Sequence, residues 1–540
     1  ISDLFVAGGE HKIFSSRCLE LIVHIVQSHG PRGAGIDIAK SIKKGVIKSA
    51  YALHDNNSAR TISWLIEHWA KKFLSAAPYI YIRDYYGESI AFYFSFLGFY
   101  TYWIAAPGIF GLCLFIAQLV TGRKDLIFVP FYAAFLALWA SSLLEFWKRR
   151  SNGLAHMWGV TNFAETEHVR PEYKGTMQMR DIVTGQLMDW FPKGRRYVRM
   201  SISFQLLFFM VAVTLVSMIS LIIFRLVINK VTMGYGAGVL NAIIMLLLDN
   251  VYRKLAIKLN DWENHRTNTQ HEKSLIIKIF AFQFVNSFCS LFWYAFVDKN
   301  SDSLELVGQQ LGILLIVRTV VGNAQELLVP WVMKHVRKGR VQANVSAVEQ
   351  QSSLDSYDPL KEIDDWSEIV IQFGYVTFFA VAFPAAAAIA LVNNLIEMRT
   401  DAYKLCSEYQ RPLPRRAAGI GVWLDILQFM SYVAVLSNTA LVIFSSNVMY
   451  QLGISSTSSQ ILVVILVEHL VFGLKFLIQL LVDDIPRWVK EEKRLESAWR
   501  RHQCDNKPFP ESKAFSGIAY PAANCLLSPG SLPTDGDEGC

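Results

Sequence analysis

The feature that most constrains the fold of this chain is a series of long apolar segments. They have membrane-spanning length and lie near residues 89–120, 126–146, 203–228, 236–256, 275–296, 305–334, 360–408, 419–446 and 461–483. About 20 apolar residues suffice for one helix to cross a bilayer. The 540 residues are 52% hydrophobic and 13% aromatic, which is too apolar for an ordinary soluble protein of this size. The sequence therefore predicts an all-α polytopic membrane protein.

The segment 360–408 decides the predicted topology because it is long enough for two spans. As a single span, it would leave the basic stretches 411–416 and 487–502 on the outer side. Dividing it at Phe383-Pro384 gives two antiparallel spans, and the strongly basic loops then share one face, as the positive-inside rule requires. The one exception is the short basic turn 121–125. We therefore predict ten transmembrane helices with both termini in the cytosol, in a plasma membrane or an endomembrane.

Three regions follow from this topology. We expect residues 1–82 to form a small cytosolic N-terminal region, with an amphipathic helix at 60–74 that is too polar to span. The chain begins with Ile1 and not with methionine, so the completeness of this region stays open. Residues 83–490 would form the ten-helix transmembrane domain. Residues 491–540 are predicted to be a cytosolic and largely disordered tail, because residues 503–540 are rich in Pro, Gly and Ser.

Five carboxylates lie inside three of the apolar segments. They are Glu326, the pair Asp365 and Glu368, and the pair Glu397 and Asp401. A carboxylate in hydrocarbon is costly, so it usually faces a cavity and a partner. Few Lys or Arg residues stand beside these acids in the sequence, so we expect an external cation. Oxygen ligands in this number suit calcium.

The ten-span topology places the five acids at one depth, in the cytosolic half of the membrane. The spacing of three between Asp365 and Glu368, and of four between Glu397 and Asp401, puts each pair on one helix face. Glu326 would lie roughly 12 Å deep in span six, at a rise of about 1.5 Å per residue. The competing interpretation is that these acids are ordinary helix-end charges, and Asp365 in particular would suit a helix start.

Six sequence blocks resemble the anoctamins, a family of calcium-activated chloride channels and phospholipid scramblases. They are DYYGESIAFYFSFLGFYTYW (84–103), ALWASSLLEFWKRR (137–150), LNDWENHRT (259–267), FQFVNSF (282–288), EIVIQFGYVTFF (368–379) and NNLIEMRTDAYK (393–404). The match runs from about residue 83 to 490. The resemblance implies a homodimer with span ten at the interface, where Glu468 and His469 lie, and two calcium ions per subunit.

Carried over by position, the family's calcium site falls on the five acids named above. The family often has an oxygen ligand one turn before the first glutamate. This chain has Gly322 there, with Asn323 beside it as the candidate ligand. A peripheral site that would hold a third ion is similar to Glu145 and Asp484, although one acid expected on span ten is absent.

Span six has the features of a switch. Gly322 lies one turn before Glu326, and Pro330 lies one turn after it. Carboxylates held close together repel one another without a metal. Our hypothesis is that span six bends near Gly322 when the site is empty. Calcium would then draw Glu326 toward the other acids and reshape a groove between spans four and six.

Polar residues inside spans three to six suggest a conducting path. They are Thr214, Ser217, Ser220, Asn241, Asp249, Asn250, Gln283, Asn286, Ser287, Arg318, Thr319 and Gln325. These residues would either join helices by hydrogen bonds or line a polar furrow along which lipid headgroups slide. Arg318 is the best candidate for contacting phosphate or chloride, but pairing with a buried acid such as Asp249 is an equal alternative.

The sequence predicts a calcium-activated phospholipid scramblase that also conducts ions. The alternatives are a calcium-activated chloride channel and, last, a membrane tether or structural protein. We find no nucleophile–base pair, GxGxxG or Walker pattern, so we expect no enzyme. The net charge of +7 is modest and requires no nucleic-acid partner. The seven cysteines show no CxxC spacing and predict no zinc site. The expected partners are membrane phospholipids, chloride or other small ions, and a second copy of the chain.

Overall fold

The computed structural model describes most of the chain between residues 16 and 504. The described ranges are 16–27, 33–36, 38–47, 50–54, 77–123, 126–161, 169–170, 172–180, 187–228, 231–298, 303–338, 347–445 and 456–504. Within the helices and helical turns, only the backbone is described for 39–40, 43, 225–228, 231–235, 325–338, 347, 350, 445, 500 and 502–504. The predicted amphipathic helix at 60–74 lies outside the described residues.

The described chain is mostly helical. Three short helices come first: α1 (Ser16–Gln27), α2 (Ile38–Lys43) and α3 (Tyr79–Tyr86). Long helices follow: α4 (Glu88–Thr121), α5 (Phe128–Met157), α6 (Lys193–Ile228), α7 (Val231–Trp262), α8 (Asn268–Phe296) and α9 (Ser303–Lys338). After the short α10 (Ala347–Ser352) come α11 (Pro359–Phe378), α12 (Ala386–Tyr403), α13 (Val422–Ala440), α14 (Thr457–Leu481) and α15 (Arg487–Cys504).

Within the described residues, seven helices are long and apolar enough to cross a membrane, namely α4, α5, α6, α8, α9, α13 and α14. The predicted all-α polytopic membrane protein is therefore confirmed. Helices α7, α11 and α12 occupy the positions of the other predicted spans but are not among these seven. The count of ten spans remains a prediction.

The predicted division of the segment 360–408 is confirmed. Helix α11 ends at Phe378 and α12 begins at Ala386, so Phe383-Pro384 lies in the break between them. Pro359 opens α11, where the missing N–H of proline costs no helical hydrogen bond. After α12, the chain continues as a π-helical turn, Lys404–Glu408.

Aromatic side chains hold the helices together around α4. Pro107 within α4 has no N–H, so the carbonyl of Trp103 lacks its helical donor. The indole Nε1 of Trp139 on α5 donates to that carbonyl at 2.9 Å. The ring of Phe96 lies 5.0 Å from that of Trp147 on α5 and 5.3 Å from that of Trp366 on α11. Helix α11 therefore packs into the same core as α4 and α5.

Close packing also fixes α11 against α8 and α13. A Cβ at Gly374 of α11 would lie 2.4 Å from Phe288 Cζ of α8 and 2.5 Å from Met430 Cε of α13. Only glycine fits this position. Helix α12 packs against α4, α9 and α11, and α7 packs against α6, α8 and α9. The acid-bearing helices are thus surrounded by protein on several sides.

Two features lie beyond the sequence prediction. A two-stranded antiparallel sheet, β1 (Met177–Arg180) and β2 (Leu187–Trp190), lies between α5 and α6. It adds a small strand element to the predicted all-α fold. Helix α15 crosses the predicted boundary at residue 490 and lies in a second unit of the chain, which begins at Ile485. Residues 505–540 of the predicted tail lie outside the described residues.

Candidate functional site

Helices α11 and α12 carry four of the five predicted acids, and the two helices contact each other. Asp365 and Glu368 lie on α11, and Glu397 and Asp401 lie on α12. The hydroxyl of Tyr93, on α4, interacts electrostatically with Asp401, Glu397 and Asp365. The fold therefore gathers the two predicted pairs into one region.

Asp401 is held by two protein groups. The Tyr93 hydroxyl donates a hydrogen bond to Asp401 Oδ2 at 2.5 Å. Lys404 Nζ lies 2.6 Å from Asp401 Oδ1. All three side chains are buried. Each carboxylate oxygen of Asp401 thus has a partner, and one of the partners is a cation.

Glu397 belongs to a hydrogen-bonded chain that reaches α9. Asn393 Nδ2 donates to Glu397 Oε2 at 3.2 Å, one turn along α12. Asn323 Nδ2 on α9 donates to Asn393 Oδ1 at 3.3 Å. Asn323 is therefore linked to the candidate site through Asn393, and its predicted role as a direct metal ligand stays a prediction.

Glu368 and Asp365 differ in their surroundings. A Cβ at Gly322 of α9 would lie 3.5 Å from Glu368 Oε1, an ordinary van der Waals distance, so α9 passes directly beside this carboxylate. Within the described part of the chain, Glu368 forms no hydrogen bond. Its charge interacts with those of Asp401, Lys404, Asp365 and Arg318.

Asp365 accepts a hydrogen bond from the Tyr357 hydroxyl at 2.7 Å. Tyr357 lies just before α11. Burial, together with the charges of Asp365 and Glu362, holds the pKa of the Tyr357 hydroxyl well above its usual range. The hydroxyl therefore remains a donor at neutral pH.

The fifth predicted acid, Glu326, lies in α9, which is helical without a break from Ser303 to Lys338. The side chains of Glu326 and Pro330 lie outside the described part. Among the described side chains, no three His, Cys, Asp or Glu residues lie close enough together to hold a metal ion. The donor chemistry nevertheless fits calcium, because the region offers carboxylate and amide oxygens, and Glu368 has a carboxylate without a hydrogen-bond partner.

The sequence expectation that few basic groups accompany the acids was wrong. Lys404 lies three residues after Asp401, a spacing that places both on one helix face, and this signal was overlooked. Tyr93 was also missed, because 308 residues separate it from Asp401. Nothing in the local sequence links these two side chains.

The peripheral candidate pair flanks a lysine. Lys148 Nζ lies 2.5 Å from Glu145 Oε2 and 3.6 Å from Asp484 Oδ1. Glu145 is buried, whereas the Asp484 side chain is 61% exposed. The structure thus brings both predicted residues to one ammonium group, and a metal ion between them remains a prediction.

Arg318 pairs with a buried acid, as one of the two alternatives predicted. Its Nη2 lies 3.3 Å from Asp249 Oδ2 on α7 and donates to Ser287 Oγ on α8 at 2.8 Å. Asn286 Nδ2 donates to the other Asp249 oxygen at 2.8 Å. These contacts join α7, α8 and α9 by a polar network beside the acids.

Several of the predicted furrow residues surround a small cavity between α6, α7 and α8. Its lining includes Thr214, Ser217, Asn241, Asn286 and Ser290. The cavity is about as large as the space that one water molecule needs. Asn241 Nδ2 also donates to Ser290 Oγ at 3.3 Å, so hydrogen bonding between helices is present here.

Comparison with known proteins gives one family. A family model described as "Anoctamin: Calcium-activated chloride channel" matches residues 82–496. Anoctamin-7 of Homo sapiens is 30% identical over 516 residues, which cover 76% of this chain and 55% of that protein. Anoctamin-10 of Homo sapiens is 29% identical over 477 residues, covering 84% and 70% respectively. Anoctamin-3 of Mus musculus is 28% identical over 493 residues, covering 75% and 50%. The chain thus spans between 50% and 70% of the length of these three relatives.

Proposed function

The chain belongs to the anoctamin family, and we propose that it is a calcium-activated phospholipid scramblase that also conducts small ions. Its calcium site would lie between α9, α11 and α12. The observation that carries this proposal is the meeting of these three helices at paired acids. Asp365 and Glu368 come from α11, Glu397 and Asp401 come from α12, and α9 passes beside Glu368 at Gly322.

The proposed ligands are the carboxylates of Asp365, Glu368, Glu397 and Asp401, joined by Glu326 from α9. Calcium bound there would supply the positive charge that offsets these clustered carboxylates. Two ions per subunit are proposed, because this number of shared oxygens suits two. Asn323 contributes by holding Asn393, which in turn orients Glu397.

Coupling to a groove would run through α9. Gly322 and Asn323 tie this helix to the acid region, and Arg318, one turn earlier, ties it to Asp249 and Ser287. A change in the position of α9 at the acids would therefore be transmitted to α7 and α8. This arrangement supports the proposal that α9 bends at Gly322 when the switch operates. Pro330, on the other side of Glu326, would limit how far the bend extends along the helix.

Scrambling is favoured over a dedicated anion channel by the charge of the groove residues. Arg318 is the basic residue predicted for the path, and Asp249 already compensates its charge. The polar residues around the cavity between α6, α7 and α8 are neutral. Neutral hydrogen-bonding groups suit a zwitterionic headgroup better than a bare anion. A calcium-activated chloride channel is the second candidate, supported by the description of the matching family model.

The remaining parts of the proposal concern assembly and placement. The chain is an integral membrane protein, and we propose that both termini lie in the cytosol. Helix α14 exposes large apolar side chains along its length, including Leu462, Leu466, Leu470 and Leu477. This surface supports a homodimer that meets at α14. No enzymatic activity is proposed.

Reconstitution into liposomes tests the proposal. The purified protein should exchange labelled phospholipid between leaflets and release chloride, both faster with calcium than with a chelator. Glu397→Gln should raise the calcium concentration for half-activation at least about tenfold, a change of about 1.4 kcal/mol, because one ligand charge is lost.

Glu305→Gln is the matched control, because Glu305 is an exposed acid at the start of α9, beside Gln309. It should leave the calcium response unchanged. Chloride release without lipid exchange would instead favour the channel. An equal calcium response for Glu397→Gln and the wild type would contradict the proposed calcium site.

A further inference from the structure

The ammonium group of Lys404 lies beside the acids for which the sequence predicts a bound calcium ion. Its side chain is buried at the end of α12, where the chain passes into the π-helical turn Lys404–Glu408. Nζ lies 2.6 Å from Asp401 Oδ1, and the ammonium charge also acts on Glu368. A buried ammonium is stable only when it is paired, so these acids and this lysine compensate each other.

The contacts of Asp401 leave no carboxylate oxygen without a partner. Lys404 holds Oδ1, and the Tyr93 hydroxyl holds Oδ2. A neutral hydroxyl can remain beside a carboxylate that binds a metal, because it carries no charge. An ammonium at 2.6 Å cannot stay where a divalent cation approaches the same oxygen, because the two positive charges repel.

We propose that Lys404 is a tethered cation that holds Asp401 and shields Glu368 when calcium is absent, and that its ammonium must leave these acids for calcium to bind. This inference rests on the proposed calcium activation and adds its regulation. The flexible four-carbon stem of lysine allows the ammonium to move without a backbone change. π-Helical turns in long helices often mark functional positions, and this one begins at Lys404.

Competition of this kind has a specific thermodynamic consequence. The lysine stabilises the calcium-free protein and weakens calcium binding by the same free energy, because the two are linked. A purely structural ion pair would instead stabilise both forms equally. The stability of a neutral variant, measured with and without calcium, therefore separates the two roles.

The experiment uses the full purified chain in detergent. Calcium affinity is measured by titration calorimetry, and the melting temperature is measured in chelator and in saturating calcium. For Lys404→Gln, we expect the dissociation constant for calcium to fall about tenfold, or about 1.4 kcal/mol. Its melting temperature should fall below that of the wild type in chelator and match the wild type in calcium.

Lys361→Gln is the matched control. Lys361 lies in the first turn of α11, where its ammonium stacks over the ring of Tyr409 at 3.7 Å and is not paired with Asp401. The charge of half-buried Lys361 acts on Asp365 only through space, so removing it should change the dissociation constant by no more than about twofold, well below the effect expected for Lys404→Gln. An equal gain in affinity for both variants would reduce the Lys404 effect to general electrostatics and overturn the inference.

A second variant provides an independent test if Lys404→Gln does not fold. Lys404→Arg keeps the positive charge and grips a carboxylate through two hydrogen bonds, so it should bind calcium no more tightly than the wild type. Tighter binding by Lys404→Arg, or an equal loss of stability for Lys404→Gln with and without calcium, would refute the tethered cation. Absence of any calcium response in the wild type would instead refute the proposed function, and the inference with it.

Discussion

A buried acid at the junction of α7 and α8 should carry a large share of local stability. Glu263 is fully buried, and Lys278 Nζ lies 2.6 Å from its Oε1. His265 Nε2 lies 2.9 Å from Oε2, and Ser274 Oγ donates to the same oxygen at 3.2 Å. These contacts fix the turn between two long helices. The same helices hold Asp249 and Ser287, the partners of Arg318.

The magnitude follows from the pKa of Glu263. Burial alone would raise this pKa, but hydrogen bonds from His265, Lys278 and Ser203 outweigh burial and lower it from 4.5 to about 2. A difference of about 2.5 units between the unfolded and folded values corresponds to about 3 kcal/mol. Because the folded pKa is the lower one, this stability is present above pH 4.5 and is lost as the pH falls toward 2.

The perturbation is Glu263→Gln. It removes the carboxylate and leaves the Lys278 ammonium buried without its counter-charge, which typically costs about 3–5 kcal/mol. The assay is the apparent melting temperature of the detergent-solubilised protein between pH 8 and pH 2.5, at a fixed heating rate because unfolding of such proteins is often irreversible. The variant should melt several degrees lower at neutral pH. The gap should narrow as the pH falls below 4.5, because only the wild type then loses a charge.

Asp261→Asn supplies the control. Asp261 lies two residues away, with Oδ1 2.9 Å from His271 Nε2, but its side chain is 59% exposed. Such a pair contributes at most about 1 kcal/mol. If Glu263→Gln destabilises the protein no more than Asp261→Asn, the cluster does not stabilise the junction as reasoned.

Two further predictions concern the polar network and the N-terminal segment. Arg318→Gln should lower the melting temperature because it leaves the charge of Asp249 uncompensated inside the protein. Adding Asp249→Asn should restore part of the loss, with a coupling energy of about 0.5–3 kcal/mol in a double-mutant cycle. Strictly additive losses in the two single variants would exclude the pairing. Burial, helped by the positive charge of Arg411, lowers the pKa of His54, whose Nδ1 lies 3.0 Å from the Tyr85 hydroxyl and whose Nε2 lies 2.9 Å from the Tyr409 carbonyl oxygen. The stability that neutral His54 contributes is present above pH 6.5 and is lost as the pH falls through its lowered pKa. Hydrogen-exchange protection factors in residues 50–54, corrected for the intrinsic exchange rate at each pH, should therefore fall at acidic pH. The fall should be absent in His54→Gln, and unchanged protection factors in the wild type would contradict the argument.

The helices were predictable from the sequence because their apolar segments exceed the length of any soluble strand or loop. The division at Phe383-Pro384 was predictable for a different reason, since it followed from the placement of basic loops on one face. The hairpin of β1 and β2 was not predicted. Its strands have four residues each and expose most of their side chains, so they carry no apolar pattern strong enough to read.

The only part of the candidate site that could be predicted from the sequence is the part that depends on helix periodicity. The spacings within α11 and α12 predicted that each acid pair lies on one face, and in the structure the charges of Asp365 and Asp401 both act on Glu368. The groups that hold the acids come from elsewhere in the chain. Tyr93 on α4 and Asn323 on α9 reach Asp401 and Asn393 through tertiary packing, and no local pattern encodes such contacts.

Helices α11 and α12 show why a criterion of length and apolar content finds seven spanning helices in the described residues, whereas the predicted topology has ten. Neither helix is among the seven described helices that are long and apolar enough to cross a membrane. Both are also largely buried, with Glu397 and Asp401 almost inaccessible and Gly374 in direct contact with α8 and α13. A helix enclosed by other helices meets protein groups instead of lipid, so it can carry charges that a lipid-facing helix cannot. The same enclosure makes each acid dependent on a specific partner, as Asp401 depends on Tyr93 and Lys404. The charged groups of α11 and α12 and their tight partnering are therefore two consequences of one arrangement, which encloses both helices in protein.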